Sequence, residues 1–367
     1  MSLVCVADYE TKAKELLEKS ALGYYASGAG DEFSLKLNKN IFQKYRLRPR
    51  CLVDVSSIDL TCKVLNKTFE WPLGVSPTAM QRMAHPDGEV ANARAAGKLG
   101  SIFILSTIAT TSVEEVAEKA PNTTKWFQLY IYKDRIITEN LIRRAEKAGF
   151  EALVLTVDAP VFGARRADMR NKFELPSHLS LKNFNGLFAN SLNGDSDNEI
   201  SGINAYVSKQ FDPTLTWKSV EWLIKFTKLP VIVKGILTKE DAILAKNYGC
   251  SGIIVSNHGA RQIDTVPTAL EVLPEIVKSV GHELTIMADG GFSNGTDIFK
   301  ALAMGAKMVF VGRPCLWGLA VDGQNGVESI LRILKQDFEK TMRLMGCRKI
   351  SDISKEMVVH ESFYAKL

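Results

Sequence analysis

A chain of 367 residues with 46% hydrophobic content is long enough to bury a substantial core, as one large α/β domain or two smaller ones. Its 46 basic and 41 acidic residues leave a formal net charge of +5 with no long basic block, which argues against nucleic acid or a membrane surface as the main partner. The six cysteines, Cys5, Cys51, Cys62, Cys250, Cys315 and Cys347, are scattered without a C-x-x-C pair or a metal-ligand spacing, the pattern of a reducing compartment and not of a disulfide framework.

The opening MSLVCVADYETKAKELL carries Asp8 and no apolar run of signal-peptide or membrane-spanning length, so a soluble, non-secreted protein is expected. Residues 1–70 read as an extension with two helices and a hairpin around Asn66-Lys67. Short apolar runs then alternate with stretches of helical period. The expected strands are Pro72–Ser76, Ile102–Leu105, Trp126–Ile131, Ala152–Val157, Val231–Lys234, Gly252–Ser256, Leu284–Ala288 and Met308–Gly312. The expected helices are Asp87–Leu99, Ser112–Lys119, Asp134–Ala148, Trp217–Phe226, Lys239–Tyr248, Leu270–Val280, Thr296–Met304 and Gly326–Met345. Gly100, Gly149, Gly249 and Gly305 stand where helices end. Eight evenly spaced strand-helix units in about 240 residues fit a (β/α)₈ barrel better than a doubly wound open sheet.

The reading is thus a single domain over 1–367: an N-terminal helical extension (1–70), a barrel (71–350) and a tail (351–367). An insertion after strand four, about residues 160–214, contains ANSLNGDSDNEISG, too polar to bury apolar surface. Hanging over the end of the barrel where active sites form, it reads as a mobile lid. The tail finishes in Ala365-Lys366-Leu367, a close variant of the S-K-L tripeptide read by the peroxisomal import receptor.

Side chains at the C-terminal ends of barrel strands converge on one mouth. Here they are Thr78 after the first strand, Ser106 after the second, Gln128 and Tyr130 in the third, and Thr156 with Asp158 at the fourth. Lys234, then Ser256 with His258, then Asp289, then Arg313 follow on strands five to eight. One lysine can snorkel to solvent and one histidine can be a satisfied core residue; eight strands in agreement point to a site. Asp289-Gly290-Gly291 and Gly312-Arg313 lie at the last two strands, where barrels bind phosphate through backbone N–H groups. Arg165, Arg166 and Arg261 lie on loops at the same mouth, and a guanidinium fork matches a carboxylate. Small organic acids are the expected guests.

The run Ser256-Asn257-His258-Gly259-Ala260-Arg261-Gln262 closely resembles the active-site signature of the FMN-dependent 2-hydroxy-acid oxidases, the glycolate oxidase family. The resemblance continues through Tyr24-Tyr25-Ala26-Ser27-Gly28-Ala29, Pro77-Thr78-Ala79-Met80, Gln128-Leu129-Tyr130, Thr156-Val157-Asp158, Lys234-Gly235 and Asp289-Gly290-Gly291. It implies His258 as the base, oriented and made more basic by Asp158. It implies that Arg165 and Arg261 clamp the substrate carboxylate, while Tyr24 and Tyr130 hydrogen-bond to the substrate. Lys234 would stabilise charge developing on the flavin. Pro77, Thr78, Ala79, Ser106, Gln128, Thr156 and Ser256 would contact the ring, Asp289 the ribityl chain, and Gly290, Gly291, Gly312 and Arg313 the phosphate. The reaction implied is oxidation of a 2-hydroxy acid to a 2-oxo acid, with O₂ reoxidising the flavin to give hydrogen peroxide. That product suits a peroxisome, and similar barrels assemble as homotetramers or octamers.

Two positions depart from the family pattern. Ile108 stands where glycolate-preferring members carry tryptophan, and together with the opening MSLVC, similar to the long-chain mammalian type, it favours medium- or long-chain acids. Ser293 stands where members usually carry an arginine that pairs with the FMN phosphate, so weaker cofactor retention is expected. Alternatives at this point are a dehydrogenase passing electrons to a quinone or cytochrome, a Schiff-base lyase built on Lys234, and a non-catalytic flavin binder.

Overall fold

The computed structural model describes residues 2–184 and 210–366. The eight apolar runs form a closed parallel barrel. In chain order its strands are β4 (Leu73–Val75), β5 (Ile102–Leu105), β6 (Thr124–Leu129), β7 (Ala152–Thr156), β8 (Val231–Ile236), β9 (Gly252–Val255), β10 (Thr285–Asp289) and β11 (Met308–Val311), and β11 pairs with β4 to close the ring. Every strand follows its predecessor around the ring, as right-handed βα repeats require. Alternate side chains face opposite layers. Ile102, Ile104, Trp126, Val154, Ile232, Ile254, Met287 and Phe310 fill the interior, and Val64 and Phe69 pack with them. Those two come from the antiparallel hairpin β2 (Cys62–Val64) and β3 (Lys67–Phe69), joined by the turn expected at Asn66-Lys67.

The covering helices are α4 (Gly88–Lys98), α5 (Val113–Lys119), α6 (Arg135–Lys147), α8 (Trp217–Phe226), α9 (Lys239–Asn247), α10 (Ala269–Val280), α11 (Gly295–Ala303) and α12 (Arg313–Leu344), with α7 (Arg166–Asn171) inside the insertion. Several start where a side-chain oxygen takes up a free N–H: Ser112, Asp134, Thr238, Thr268 and Asn294 each accept from the first turn, worth about 1 kcal/mol apiece. Gly100, Gly149, Gly249 and Gly305 all adopt positive φ just past their helices, as their positions predict.

The structure corrects two expectations and places the tail. The extension holds three α-helices and not two: α1 (Val6–Leu16), α2 (Lys19–Ala26) and α3 (Phe33–Asn40). The last helix begins at Arg313, well before Gly326, with a kink at Asp322–Gly323. The tail is tied down, because β12 (Val358–His360) pairs antiparallel with β1 (Tyr45–Leu47). The polar run 189–202 and Leu367 lie outside the described residues. Among the described residues, no helix is long and apolar enough to cross a membrane.

Candidate active site

At the C-terminal end of the barrel a cavity of about 690 Å³ opens, within the size range of small-molecule sites. Tyr24, Pro77, Thr78, Ala79, Ser106, Gln128, Tyr130, Thr156, Arg165, Lys234, His258, Arg261, Asp289, Gly290, Gly291, Gly312 and Arg313 all line it. Asp158 and Ser256 stand directly behind the wall. Arg166 does not join the group: it points outward and pairs with Asp31, so of the two adjacent arginines only Arg165 belongs to the site.

His258 is held from both sides. Its Nδ1 is 2.9 Å from Asp158 Oδ1, which leaves Nε2 for the cavity. Its backbone N–H donates to Ser256 Oγ at 2.9 Å. His258, Gly259 and Ala260 all have φ near +60°, a conformation costing non-glycine residues about 1–3 kcal/mol each and found at functional sites. Asn257 Oδ1 steadies this turn by accepting from Ala260 N–H and from Asn38 on α3.

Burial pushes the His258 pKa below its usual value, and Asp158 opposes that shift without cancelling it. Burial pushes the Asp158 carboxyl up, but His258 and Lys234 outweigh it and leave it below the ordinary range. The dyad is therefore a neutral imidazole against an ionised carboxylate at neutral pH. Asp158 does raise the basicity of His258, as expected, yet desolvation is the larger effect. Only the neutral ring can accept a proton, so with His258 as the proposed base kcat/KM for the free enzyme is expected to rise with pH along a limb below the usual histidine range. In Asp158→Asn the burial effect stands unopposed. The limb then moves to still lower pH and the plateau falls by roughly 10²-fold or more, because the group that fixes the tautomer is gone. A pH profile in which the limb moves upward or stays fixed contradicts this assignment.

Arg261 and Arg165 form a second group. Arg261 Nη1 donates to the carbonyls of Tyr24 and Ser27, and its guanidinium lies 4.7 Å from the Tyr24 ring centre. Arg165 donates to the Arg261 carbonyl and to Gln262 Oε1, both at 3.2 Å. Burial first, and then repulsion from Arg165, push the Arg261 pKa down to about 9. Arg261 has no salt bridge among the described residues, and the Arg165–Asp168 separation is 4.0 Å. Two desolvated guanidiniums at one cavity wall call for an anion. Burial pushes the Tyr130 hydroxyl up, keeping it a neutral donor, and the ring stacks on Phe211 at 4.3 Å.

Lys234 anchors a third group. Its Nζ is 3.2 Å from Asp289 Oδ2 and donates to Ser256 Oγ at 2.9 Å. Ser76 Oγ donates to the same Asp289 oxygen at 3.1 Å, while Asp289 Oδ1 is buried with no hydrogen-bond partner among the described residues. Gln128 accepts from Ser106 Oγ and Thr107 N–H and donates to Thr156 Oγ1 at 3.1 Å. Gly291 has φ +87°, and a Cβ there would lie 2.0 Å from the Asn38 carbonyl oxygen, so only glycine lets α3 dock against this loop. Arg313 donates to the carbonyls of Tyr25, Ser27 and Gly259 at 2.8–3.0 Å, which leaves two of its five N–H groups for the cavity.

Sequence reasoning assigned no role to Ser76, Gln262 or Phe162. Gln262 Nε2 donates to the Asp158 and Val161 carbonyls while its Oε1 braces Arg165, so one amide links base and clamp. Phe162 lines the cavity with Arg165 5.3 Å from its ring centre. Gln262 stands inside the recognisable motif, whereas nothing local marks Phe162.

The FMN-dependent dehydrogenase family model matches residues 13–360. The chain belongs to the FMN-dependent dehydrogenase family. It is 52% identical to glycolate oxidase 1 of Zea mays over 357 residues, covering 97% of this chain and 96% of that one. It is 48% identical to human 2-hydroxyacid oxidase 1, with the same coverage. Among solved structures it is similar to a soluble mutant of the membrane-associated (S)-mandelate dehydrogenase from Pseudomonas putida, with a TM-score of 0.90 and 38% identity over 98% of this chain and all of that one. It is also similar to mandelate oxidase, with a TM-score of 0.88 and 38% identity over 96% and 98%.

As a family member the protein is an FMN-dependent oxidoreductase, and its cavity fits the cofactor. The orphaned Asp289 Oδ1 is a free acceptor for a hydroxyl. The donors Lys234 Nζ and Gln128 Nε2 lie at the strand ends, and the glycine loops offer close backbone approach to a phosphate. Membership removes the Schiff-base lyase reading, and Lys234 Nζ lies against Asp289 Oδ2.

Proposed function

We infer that this member oxidises (S)-2-hydroxy acids to 2-oxo acids and uses O₂ as the terminal acceptor, releasing hydrogen peroxide. The observation that carries the reading is the pair of guanidiniums, Arg165 buried and Arg261 half-buried, on the same cavity wall as the His258–Asp158 dyad. A carboxylate fixed on the two forks has its α-carbon next to the hydroxyl that must lose a proton, and His258 Nε2 is the base at that position. Tyr24 and Tyr130 donate to the carboxylate or hydroxyl and hold the approach. The chemistry FMN supplies when bound is acceptance of the two electrons leaving the α-carbon and their delivery to oxygen. Ser106, Gln128, Thr156, Lys234 and Asp289 would hold its ring and ribityl chain. The curated relatives named glycolate oxidase and 2-hydroxyacid oxidase support oxygen as acceptor.

Within this reading the substrates are medium- or long-chain acids. Ile108 is half-buried on the cavity wall, and with Phe162 it offers apolar surface with room for an alkyl tail. In Ile108→Trp the kcat/KM for 2-hydroxyoctanoate falls by roughly 10–200-fold, the range that methylene-scale fit commands, while glycolate turnover changes little. Peroxide formation measured across acids of increasing chain length tests both parts: no peroxide refutes the oxidase, and an unaltered profile in the variant refutes the tail pocket. The tripeptide Ala365-Lys366-Leu367 supports a peroxisomal address through the import receptor, and a homotetramer or octamer is the assembly expected.

A further inference from the structure

The phosphate end of the cavity is rimmed by an unexpected group of charges. Cys5, Glu10 and Lys14 on and beside α1, together with Lys39 on α3, line the same cavity as Gly291, Ser293 and Arg313. Glu10 accepts from Lys14 at 2.8 Å and from Lys39 at 2.9 Å. The Asn38 carbonyl next to Lys39 is packed on Gly291, so α3 carries this lysine to the glycine loop. Arg313, pushed down to about 10 by burial, feels the Glu10 carboxylate across the opening.

Ser293 cannot supply the missing cation. Its hydroxyl and its backbone N–H both donate to Asp297 Oδ2, at 3.2 and 3.0 Å. A terminal phosphate brings about two negative charges, and Arg313 offsets one. The two lysines around Glu10 carry a net single positive charge, and Lys36 on α3 lines the same cavity, so positive charge is at hand for the shortfall left by a serine at position 293.

We propose that the Lys14–Glu10–Lys39 cluster of the N-terminal extension supplies the second positive charge for the FMN phosphate, in place of a side chain at 293. Cofactor retention in this protein therefore depends on helices outside the barrel. Glu10 sets the net charge and holds both ammonium groups at the rim. The contribution is solvent-accessible and so is screened by salt.

The test uses the full-length apo-protein and quenching of flavin fluorescence, comparing FMN with riboflavin, which lacks the phosphate. Replacing Lys14 and Lys39 together by alanine raises the FMN dissociation constant by about five- to twentyfold and leaves riboflavin unchanged. Ser293→Arg in that background restores FMN binding. Glu10→Gln shifts FMN affinity the opposite way, tightening it about two- to fivefold at low salt, and a misfolded variant does not do that. An FMN-to-riboflavin ratio unchanged in the double variant, or both flavins weakened equally, overturns the proposal. Wild-type protein that binds neither flavin overturns it together with the cofactor assignment.

Discussion

Replacing His258 by glutamine lowers the rate of anaerobic flavin reduction by a 2-hydroxy acid by about 10²–10⁴-fold, the range contributed by a positioned base, while the protein stays yellow. The separation follows from the geometry. His258 reaches the cavity with Nε2, and its backbone N–H, not its ring, is what Ser256 binds. Glutamine keeps the backbone turn and a polar side chain but has no basic nitrogen. Asp158 then loses its imidazole partner and keeps Lys234 as its nearest compensating charge, so some loss of stability accompanies the loss of rate. Stopped-flow reduction alongside the visible spectrum checks both halves. A variant that reduces its flavin within tenfold of wild type removes His258 from the role of base.

Replacing Lys234 by methionine destabilises the protein by about 3–5 kcal/mol, the cost of stranding one partner of a buried ion pair. Lys234 and Asp289 are 4% and 6% exposed, and no other basic group is within ion-pair distance of Asp289 among the described residues. Methionine matches the length of the lysine stem, so packing changes little and the charge is what goes. The double variant Lys234→Met with Asp289→Asn recovers most of the loss, because neither charge is then left alone. Urea denaturation of the four proteins measures the coupling. A double variant destabilised by the sum of the two single losses would show that the pair carries no net interaction. On the proposed roles, in which Lys234 and Asp289 would hold the ring and ribityl chain, both variants are also expected to lose affinity for FMN.

The barrel was readable because its strands are buried on both sides, so each appears as a continuous apolar run ended by the glycine or polar residue that starts the next element. Residues at strand ends were readable for the same reason: the fold itself aims them at one mouth. The first half of α12 was not. Gly312-Arg313-Pro314 resembles a loop, yet proline is tolerated in the first helical turn, and Gly318 and Gly326 lie against each other across the kink, each blocking a Cβ on the other. The role of the extension was equally hidden. Glu10, Lys14 and Lys39 read as ordinary solvated charges on amphipathic helices, and only the long-range packing of α1 and α3 brings them to the rim. Residue type alone does not separate Arg165 from Arg166, and only the family resemblance singles out Arg165; a single residue of rotation at the start of α7 sends one inward and the other to Asp31. Ile108 and Ser293 were visible only as departures from a family pattern, and their consequences rest on space and charge that the chain reveals once folded.

The most direct measurement is the visible spectrum of the purified protein mixed anaerobically with 2-hydroxyoctanoate, lactate and glycolate, followed by admission of air. The expected result is a yellow protein whose flavin band bleaches with the hydroxy acid, fastest with the eight-carbon acid, and returns in air with hydrogen peroxide formed. A flavin band that stays unchanged with all three acids contradicts it.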